Sequence, residues 1–390
     1  MAVITHLADL QKLARRRVPK MFYDYADSGS WTEQTYRANS SDFERIRLRQ
    51  KVAVNLEIRS LASTMMGEAV TMPLALAPTG MCGMQCADGE IKAAKAAAEF
   101  GIPFSMSTMS ICSIEKVAEA TNKPFWFQLY VMRDTTFSDR LIERAREAKC
   151  SALILTLDLQ LLGQRHKDLK NDLTAPPRLT LKNIVNMSMK WRWGLGMMGT
   201  RNWTFGNIVG HAKGVDNMNS LMEWTNDQFD LSLDWAAVKR IKKKWGGKLI
   251  LKGILNVDDA KLAVESGADA IIVSNHGGRQ LDGALSSIEM LPAIVDAVGD
   301  KIEVHVDSGI HSGQNLVKAL ALGAKGAYMG RPYLYALGAM GQPGVAKLLE
   351  LMHKEADVTM ALMGHNNIND LSRDDLIDPS TVLNPWLGKR

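Results

Sequence analysis

From residue 73 onward, short apolar runs alternate with longer stretches whose apolar residues recur at helical spacing. The runs are P-L-A-L-A-P from 73, P-F-S-M-S from 103, P-F-W-F-Q-L-Y-V from 124 and A-L-I-L-T-L-D from 152. After a long interruption come L-I-L-K-G from 249, A-I-I-V-S-N from 270, I-E-V-H-V-D from 302 and G-A-Y-M-G from 326. Each reads as a strand of a parallel sheet, and the segments between them read as helices. Gly101, Gly267 and Gly323 fall where a helix needs a left-handed residue just past its end. Eight β/α units predict the α/β class and a single TIM (β/α)8 barrel. The 390 residues would form one such unit, with a helical N-terminal extension over 1–70 and a long insertion over 160–232, after strand four.

Barrels of this kind place their chemistry at the C-terminal ends of the strands. Those ends carry Thr79-Gly80, Ser107-Thr108, Gln128 with Tyr130, Thr156 with Asp158, Lys252, Asn275-His276, Asp307 and Gly330-Arg331. A polar group at every strand end predicts a large polar ligand across the barrel mouth. V-D-S-G-I-H-S-G (306–313) and Y-M-G-R-P (328–332) offer glycine amides, a helix start and an arginine after strands seven and eight, where phosphate binds in this fold. No G-x-G-x-x-G follows a strand and no G-x-x-x-x-G-K-[ST] occurs, so Rossmann and P-loop readings have no support. One loop stands out. V-S-N-H-G-G-R-Q-L-D-G (273–283) puts a base, His276, three residues from a permanent cation, Arg279, with two glycines between. His305, inside a strand, reads as structural.

Composition narrows this further without changing it. The chain is 46% hydrophobic and 23% charged, an ordinary globular balance. Its net charge of +5 is scattered, Arg15-Arg16-Arg17 reads as a solvated helix face, and no nucleic-acid motif is present. Cys82, Cys86, Cys112 and Cys150 form neither a metal set nor a disulfide framework, so inert thiols and no metal are expected. No apolar run is long enough to span a bilayer, and the N-terminus lacks a signal-peptide layout. The expected location is the cytoplasm, with peripheral attachment to the inner face of the cell membrane held open.

S-N-H-G-G-R-Q-L-D, with A-P-T-G, F-Q-L-Y-V, T-L-D, K-G-I, V-D-S-G-I and G-R-P, resembles the FMN-dependent L-2-hydroxy acid oxidase and dehydrogenase family. The run G-G-R-Q-L-D-G-A-L-S-S is most similar to its bacterial respiratory L-lactate dehydrogenase branch. The likeness runs from M-F-Y-D-Y-A-D-S-G-S-W near 21 to M-A-L-M-G near 360, one motif per strand. It implies FMN across the barrel mouth, held by a set that includes Thr79, Gly80 and Ser274. Lys252 would sit beside the N1–C2=O edge, and Ser107, Gln128 and Thr156 would hydrogen-bond the ring. Asp307 would meet the ribityl chain, and Gly309, Gly330 and Arg331 the phosphate. His276 would be the base, oriented by Asp158. Arg279 and Arg165 would clamp the substrate carboxylate, with Tyr25 and Tyr130 as hydrogen-bonding partners.

Three positions depart from the family pattern. His311 stands where relatives carry an arginine near the phosphate. Met109 replaces a tryptophan and Gly80 a small alkyl side chain, which implies a roomier pocket. The insertion matters too. Its piece 183–205 combines Trp191, Trp193 and Trp203 with methionines and cations, which suits either a segment lying in a membrane interface or a lid over the site. The expected reaction is oxidation of L-lactate to pyruvate, with electrons passed to a quinone or cytochrome by a homotetramer. An oxidase that uses oxygen, an FMN-barrel isomerase and a silent flavin subunit are the competing readings.

Overall fold

The computed structural model describes residues 3–173, 180–212, 214–215 and 229–377. The parts of the expected insertion over 174–179, 213 and 216–228 lie outside the described residues, as does the chain beyond 377.

All eight expected strands form: β1 (Leu74–Leu76), β2 (Ser105–Ser107), β3 (Trp126–Leu129), β4 (Ala152–Thr156), β5 (Lys248–Ile254), β6 (Ala270–Val273), β7 (Glu303–Val306) and β8 (Gly326–Met329). They pair in parallel in the order β1-β8-β7-β6-β5-β4-β3-β2. A bridge between Leu76 and Phe104 brings β1 to the start of β2 and closes the barrel. Every residue of β1, β2, β3, β4, β6 and β8 is buried, which is why their sequences read as continuous apolar runs. Trp126, Ile154, Ile250, Ile272 and Tyr328 fill the barrel interior, and the larger core lies between sheet and helices. Gly101, Gly267 and Gly323 take φ of +86°, +77° and +103°, as the helix ends require.

The lower end of the barrel is plugged by a hairpin, Ser63–Met65 paired with Glu68–Val70. Its turn residues Met66 and Gly67 both have positive φ, the combination a two-residue turn uses to match strand twist. His305 is fully buried there between the Tyr328 hydroxyl at 3.1 Å and Glu303 at 2.9 Å, a structural role.

The N-terminal extension forms α1 (Leu7–Arg17), α2 (Lys20–Ala26) and α3 (Gln34–Arg45). Arg15 and Arg16 are exposed, but the solvated-face expectation fails for Arg17. Its guanidinium is partly buried and donates to the Ala339 carbonyl, which would otherwise lack a partner near a helix end. The insertion supplies α4 (Leu181–Ser188) and α5 (Trp191–Met198). Both are moored to α2: the Lys20 amide donates to Asn186 at 2.7 Å, and Trp193 stacks on Phe22 with ring centres 5.6 Å apart. Among the described residues no helix is long and apolar enough to cross a membrane.

Candidate active site

A cavity of about 580 Å³ opens at the C-terminal ends of the strands. Tyr25, Tyr130, Arg165, His276 and Arg279 share its wall with Lys252, Asp307 and Arg331. Thr79, Gly80, Ser107, Gly309 and Gly330 line it as well. Of the expected residues, Asp158, Gln128, Thr156 and Ser274 do not face the cavity; each stands behind one that does or in a chain leading to it. Gln128 accepts from Ser107 Oγ at 3.1 Å and donates to Thr156 Oγ1 at 3.0 Å. Ser274 Oγ accepts from Lys252 at 2.9 Å and from the His276 amide at 3.1 Å.

His276 sits at φ +58°, a left-handed conformation that turns the ring back from the end of β6. Its Nδ1 lies 2.9 Å from Asp158 Oδ1. A carboxylate can only accept, so Nδ1 carries the proton and Nε2 is left with a free lone pair. Burial lowers the imidazole pKa below its ordinary value, with Lys252 and Arg165 acting in the same direction against Asp158. Burial alone would raise the Asp158 carboxyl, but His276 and Lys252 more than offset this and hold it low. The pair is therefore neutral imidazole beside carboxylate. Gly253 makes the approach feasible: a Cβ there would lie 2.6 Å from Asp158 Cγ, and its φ of +98° accompanies a register shift between Lys252 and Ile254.

Lys252 is almost wholly buried and lies 3.1 Å from Asp307 Oδ2. Burial opposes its charge, yet Asp307 and Asp158 prevail and raise its pKa above the lysine norm. Asp307 in turn accepts from Ser308 Oγ at 2.7 Å, and Ser308 takes the Gly277 amide at 2.9 Å. Arg331 binds the carbonyls of Ala26, Ser28 and Gly277 through Nε and Nη2, at 3.0, 2.7 and 2.7 Å, and lies over the Tyr36 ring. That clamps the extension to the barrel while its side chain still borders the cavity. His311 lines the cavity beside it, and burial together with Arg331 pushes its imidazole down to about 4.

The other end of the cavity holds two guanidinium groups. Arg279 donates through Nη1 to the Tyr25 carbonyl at 2.6 Å and to Ser28 Oγ at 3.0 Å, with its Cζ over the Tyr25 ring, 4.7 Å from the ring centre. Its Nη2 is buried without a partner. Arg165 Nε is 3.5 Å from the Arg279 carbonyl, and burial plus the neighbouring Arg279 lower its pKa to about 10. Tyr25 thus belongs to the cavity and is not merely a packing residue of the extension.

The sequence reading overlooked several members. Asp168 lines the cavity near Arg165, and its spacing of three residues from Arg165 was the available signal. Ser308 and Gln280 were passed over within quoted motifs; Gln280 donates to the Asp158 carbonyl at 2.6 Å and fastens the two loops together. Phe205 and Phe229, from the insertion, wall the cavity, and Phe229 meets Tyr130 edge-on with ring centres 5.6 Å apart.

The donor set fits a phosphorylated flavin. The cavity offers a buried ammonium and hydroxyl donors at one side, and glycines with an arginine after β7 and β8. The orphaned Arg279 Nη2 fits an anionic group beside it. Comparison with known proteins agrees. The chain matches the FMN-dependent dehydrogenase family model over residues 14–378. It is 43% identical over 376 residues to an L-lactate dehydrogenase of Caulobacter sp. (strain K31), covering 96% of this chain and 98% of that protein. An L-lactate dehydrogenase of Pseudomonas putida (strain GB-1) is likewise 43% identical over 378 residues, with the same coverage. Among solved structures, the monotopic membrane protein (S)-mandelate dehydrogenase is 35% identical, with a TM-score of 0.91 over 96% of this chain and all of that one. A mandelate oxidase is 34% identical, with a TM-score of 0.81 over 96% and 98% of the two chains. A match that spans the extension, the whole barrel and each strand end that lines the cavity leaves one conclusion: this chain belongs to the FMN-dependent dehydrogenase family.

Proposed function

We propose that the protein oxidises an L-2-hydroxy acid, L-lactate to pyruvate, with FMN bound across the barrel mouth. The observation that carries this reading is the convergence of a neutral, carboxylate-oriented imidazole with two partly buried guanidinium groups in one cavity. A 2-hydroxy acid presents a carboxylate beside the carbon to be oxidised, so a cation pair and a base are what it needs. The two guanidinium groups beside a base favour this reading over an isomerase of a diphosphate.

Arg279, through its free Nη2, and Arg165 would bind the carboxylate and fix which face of the substrate meets His276. Nε2 would take a substrate proton, and Asp158 would stabilise the imidazolium so formed. The Tyr25 and Tyr130 hydroxyls would hold the 2-hydroxyl. Burial keeps the Tyr130 phenol protonated and able to donate. Ser107, with Gln128 and Thr156 behind it, Lys252 with Ser274, and Thr79 and Gly80 would hold the flavin ring. Asp307 would meet its ribityl chain, and Gly309, Gly330 and Arg331 its phosphate. When bound, FMN supplies the acceptor for two electrons, and Lys252 supplies positive charge to balance them.

The electron acceptor we propose is a membrane quinone or cytochrome, reached by peripheral attachment at the inner face of the membrane through α4, α5 and the residues that follow. Leu181, Met189, Trp191 and Met198 are 78%, 64%, 62% and 72% exposed there, beside Lys190 and Arg192. Anaerobic titration of the FMN-loaded protein with L- and D-lactate tests the whole reading. Bleaching of the flavin by the L-isomer alone supports it, and slow recovery in air favours a dehydrogenase. A flavin that neither isomer bleaches refutes L-lactate as substrate.

A further inference from the structure

The carboxylate end of the cavity holds three charged side chains whose polar atoms are not all satisfied. Arg279 keeps Nη2 without a partner, and Asp168 keeps its buried Oδ1 without one. The nearest cation to Asp168 is Arg165, whose Nη1 lies 3.9 Å from Oδ2, within ion-pair reach but beyond a hydrogen bond. All three line the cavity, and both Arg165 and Asp168 are only about one-seventh exposed. The groups acting on Asp168 are Arg165 and Lys167 on its own segment, Arg279 from the loop after β6, and Asp24 on α2, itself paired with Lys20.

We infer that Asp168 is a positioning residue for substrate binding: it is the resident counter-ion of the Arg165–Arg279 pair, and it takes up a proton when a substrate carboxylate occupies that pair. This rests on the carboxylate-binding reading of the site. Two buried guanidinium groups repel each other, so the empty site needs an anion nearby, and Asp168 supplies it. A bound substrate adds a second carboxylate to the same poorly solvated space. Like charges that share a site push one of the pair toward its protonated form. Asp168 is the one that yields, since its Oδ1 has no donor to stabilise the charge, whereas the substrate gains two guanidinium groups. Burial already biases the Asp168 carboxyl upward in the empty site, against the pull of both arginines.

The proton balance is simple. One proton enters from solvent as the substrate anion binds and leaves when the product anion departs. No bond other than that O–H is made or broken. Protonation also turns Oδ1 from a competing acceptor into a donor that can face the bound carboxylate. Substrate affinity should then fall as pH rises, by up to about tenfold per pH unit between the pKa Asp168 has in the free protein and the higher one it has in the complex, and level off above the latter.

His276 could also gain a proton when an anion binds, so the test removes it first. The FMN-loaded His276→Gln protein is titrated near neutral pH with 2-hydroxyisobutyrate, a substrate analogue with no hydrogen on C2. Calorimetry in two buffers of different ionisation heat counts the protons, while flavin absorbance follows occupancy. The expected result is net uptake of a fraction of a proton up to one per site, lost in His276→Gln/Asp168→Asn. Asp168→Asn alone should bind the analogue several-fold more tightly at pH 8 and with a flatter pH dependence. An analogue that binds with no proton uptake overturns the inference and leaves the carboxylate reading intact. Equal uptake with and without Asp168 also overturns it. An analogue that perturbs neither heat nor absorbance in the unmodified holoenzyme overturns both. An absence of uptake by His276→Gln overturns the inference even if Asp168→Asn fails to fold, and Asp168→Ser then serves as the second variant for assigning any uptake seen.

Discussion

His276 Nδ1 lies 2.9 Å from Asp158 Oδ1, while Asp158 Oδ2 is buried with no partner at all. A carboxylate held half-satisfied at that depth is costly unless the ring it faces becomes cationic during turnover. His276→Gln should therefore abolish flavin reduction while FMN stays bound. Asp158→Asn should keep the fold and lower the rate by about 10²- to 10⁴-fold. Stopped-flow flavin bleaching beside the visible spectrum checks both; unchanged bleaching in either variant contradicts the assignment.

The rate should also depend on pH through this ring. Burial places the His276 pKa below the ordinary value, so the base is neutral near pH 7. In Asp168→Asn, where substrate binding no longer takes up a proton, kcat/KM should rise with pH below the normal histidine range and level off before neutrality. A limb centred above pH 7 would mean that the imidazole is cationic at rest.

Arg279 is held by the Tyr25 carbonyl and by Ser28, which leaves Nη2 for a ligand. Arg279→Lys loses that geometry and strands the carbonyl of Tyr25. Loss of one charged hydrogen bond is worth about 1.5–3 kcal/mol, so KM for L-lactate should rise about 10- to 150-fold. Steady-state kinetics over a wide lactate range measures it.

His311 predicts acid sensitivity. Its folded pKa of about 4 lies below the ordinary 6.5, so between those values the unfolded chain binds more protons than the folded one. Stability should rise with pH across that window and fall as pH drops below 6.5, by up to about 3 kcal/mol on full protonation. In the FMN-free protein, His311→Gln should remove most of that loss between pH 7 and 5 in urea melts. FMN phosphate near the ring should shrink the effect in the wild type.

The membrane surface yields a fifth expectation. The intact protein should float with anionic liposomes, and replacing 183–205 by a polar linker should abolish that flotation. Trp193 is the residue to leave out of a milder set of changes, because it stacks on Phe22 and donates to the Met84 carbonyl at 2.9 Å. Equal flotation of both proteins would leave α4 and α5 as a lid.

The barrel was legible because its strands are buried on both faces, and burial writes itself as continuous apolar runs such as Ala270–Val273. His276 and Arg279 were legible for a similar reason, as costly groups on a glycine loop at a strand end. Asp168 was not. In L-L-G-Q-R-H-K-D its spacing of three from Arg165 is the one hint, and that spacing is as common for a surface pair as for an acid near two arginines from segments over a hundred residues apart. Arg17 failed likewise, since its partner, the Ala339 carbonyl, lies on a helix that only the fold brings near. The competing roles of the insertion also depend on packing: Trp193 faces inward and Trp191 outward, two residues apart.

Gly253 ties the chemistry to an irregular strand. A side chain there would occupy the space of Asp158 Cγ, and φ of +98° is open to glycine alone at low cost. The His276–Asp158 pair is consequently not portable as two residues. Anyone grafting it onto an idealised barrel would have to carry the kink along, because a perfectly regular fifth strand would close the gap that the carboxylate fills.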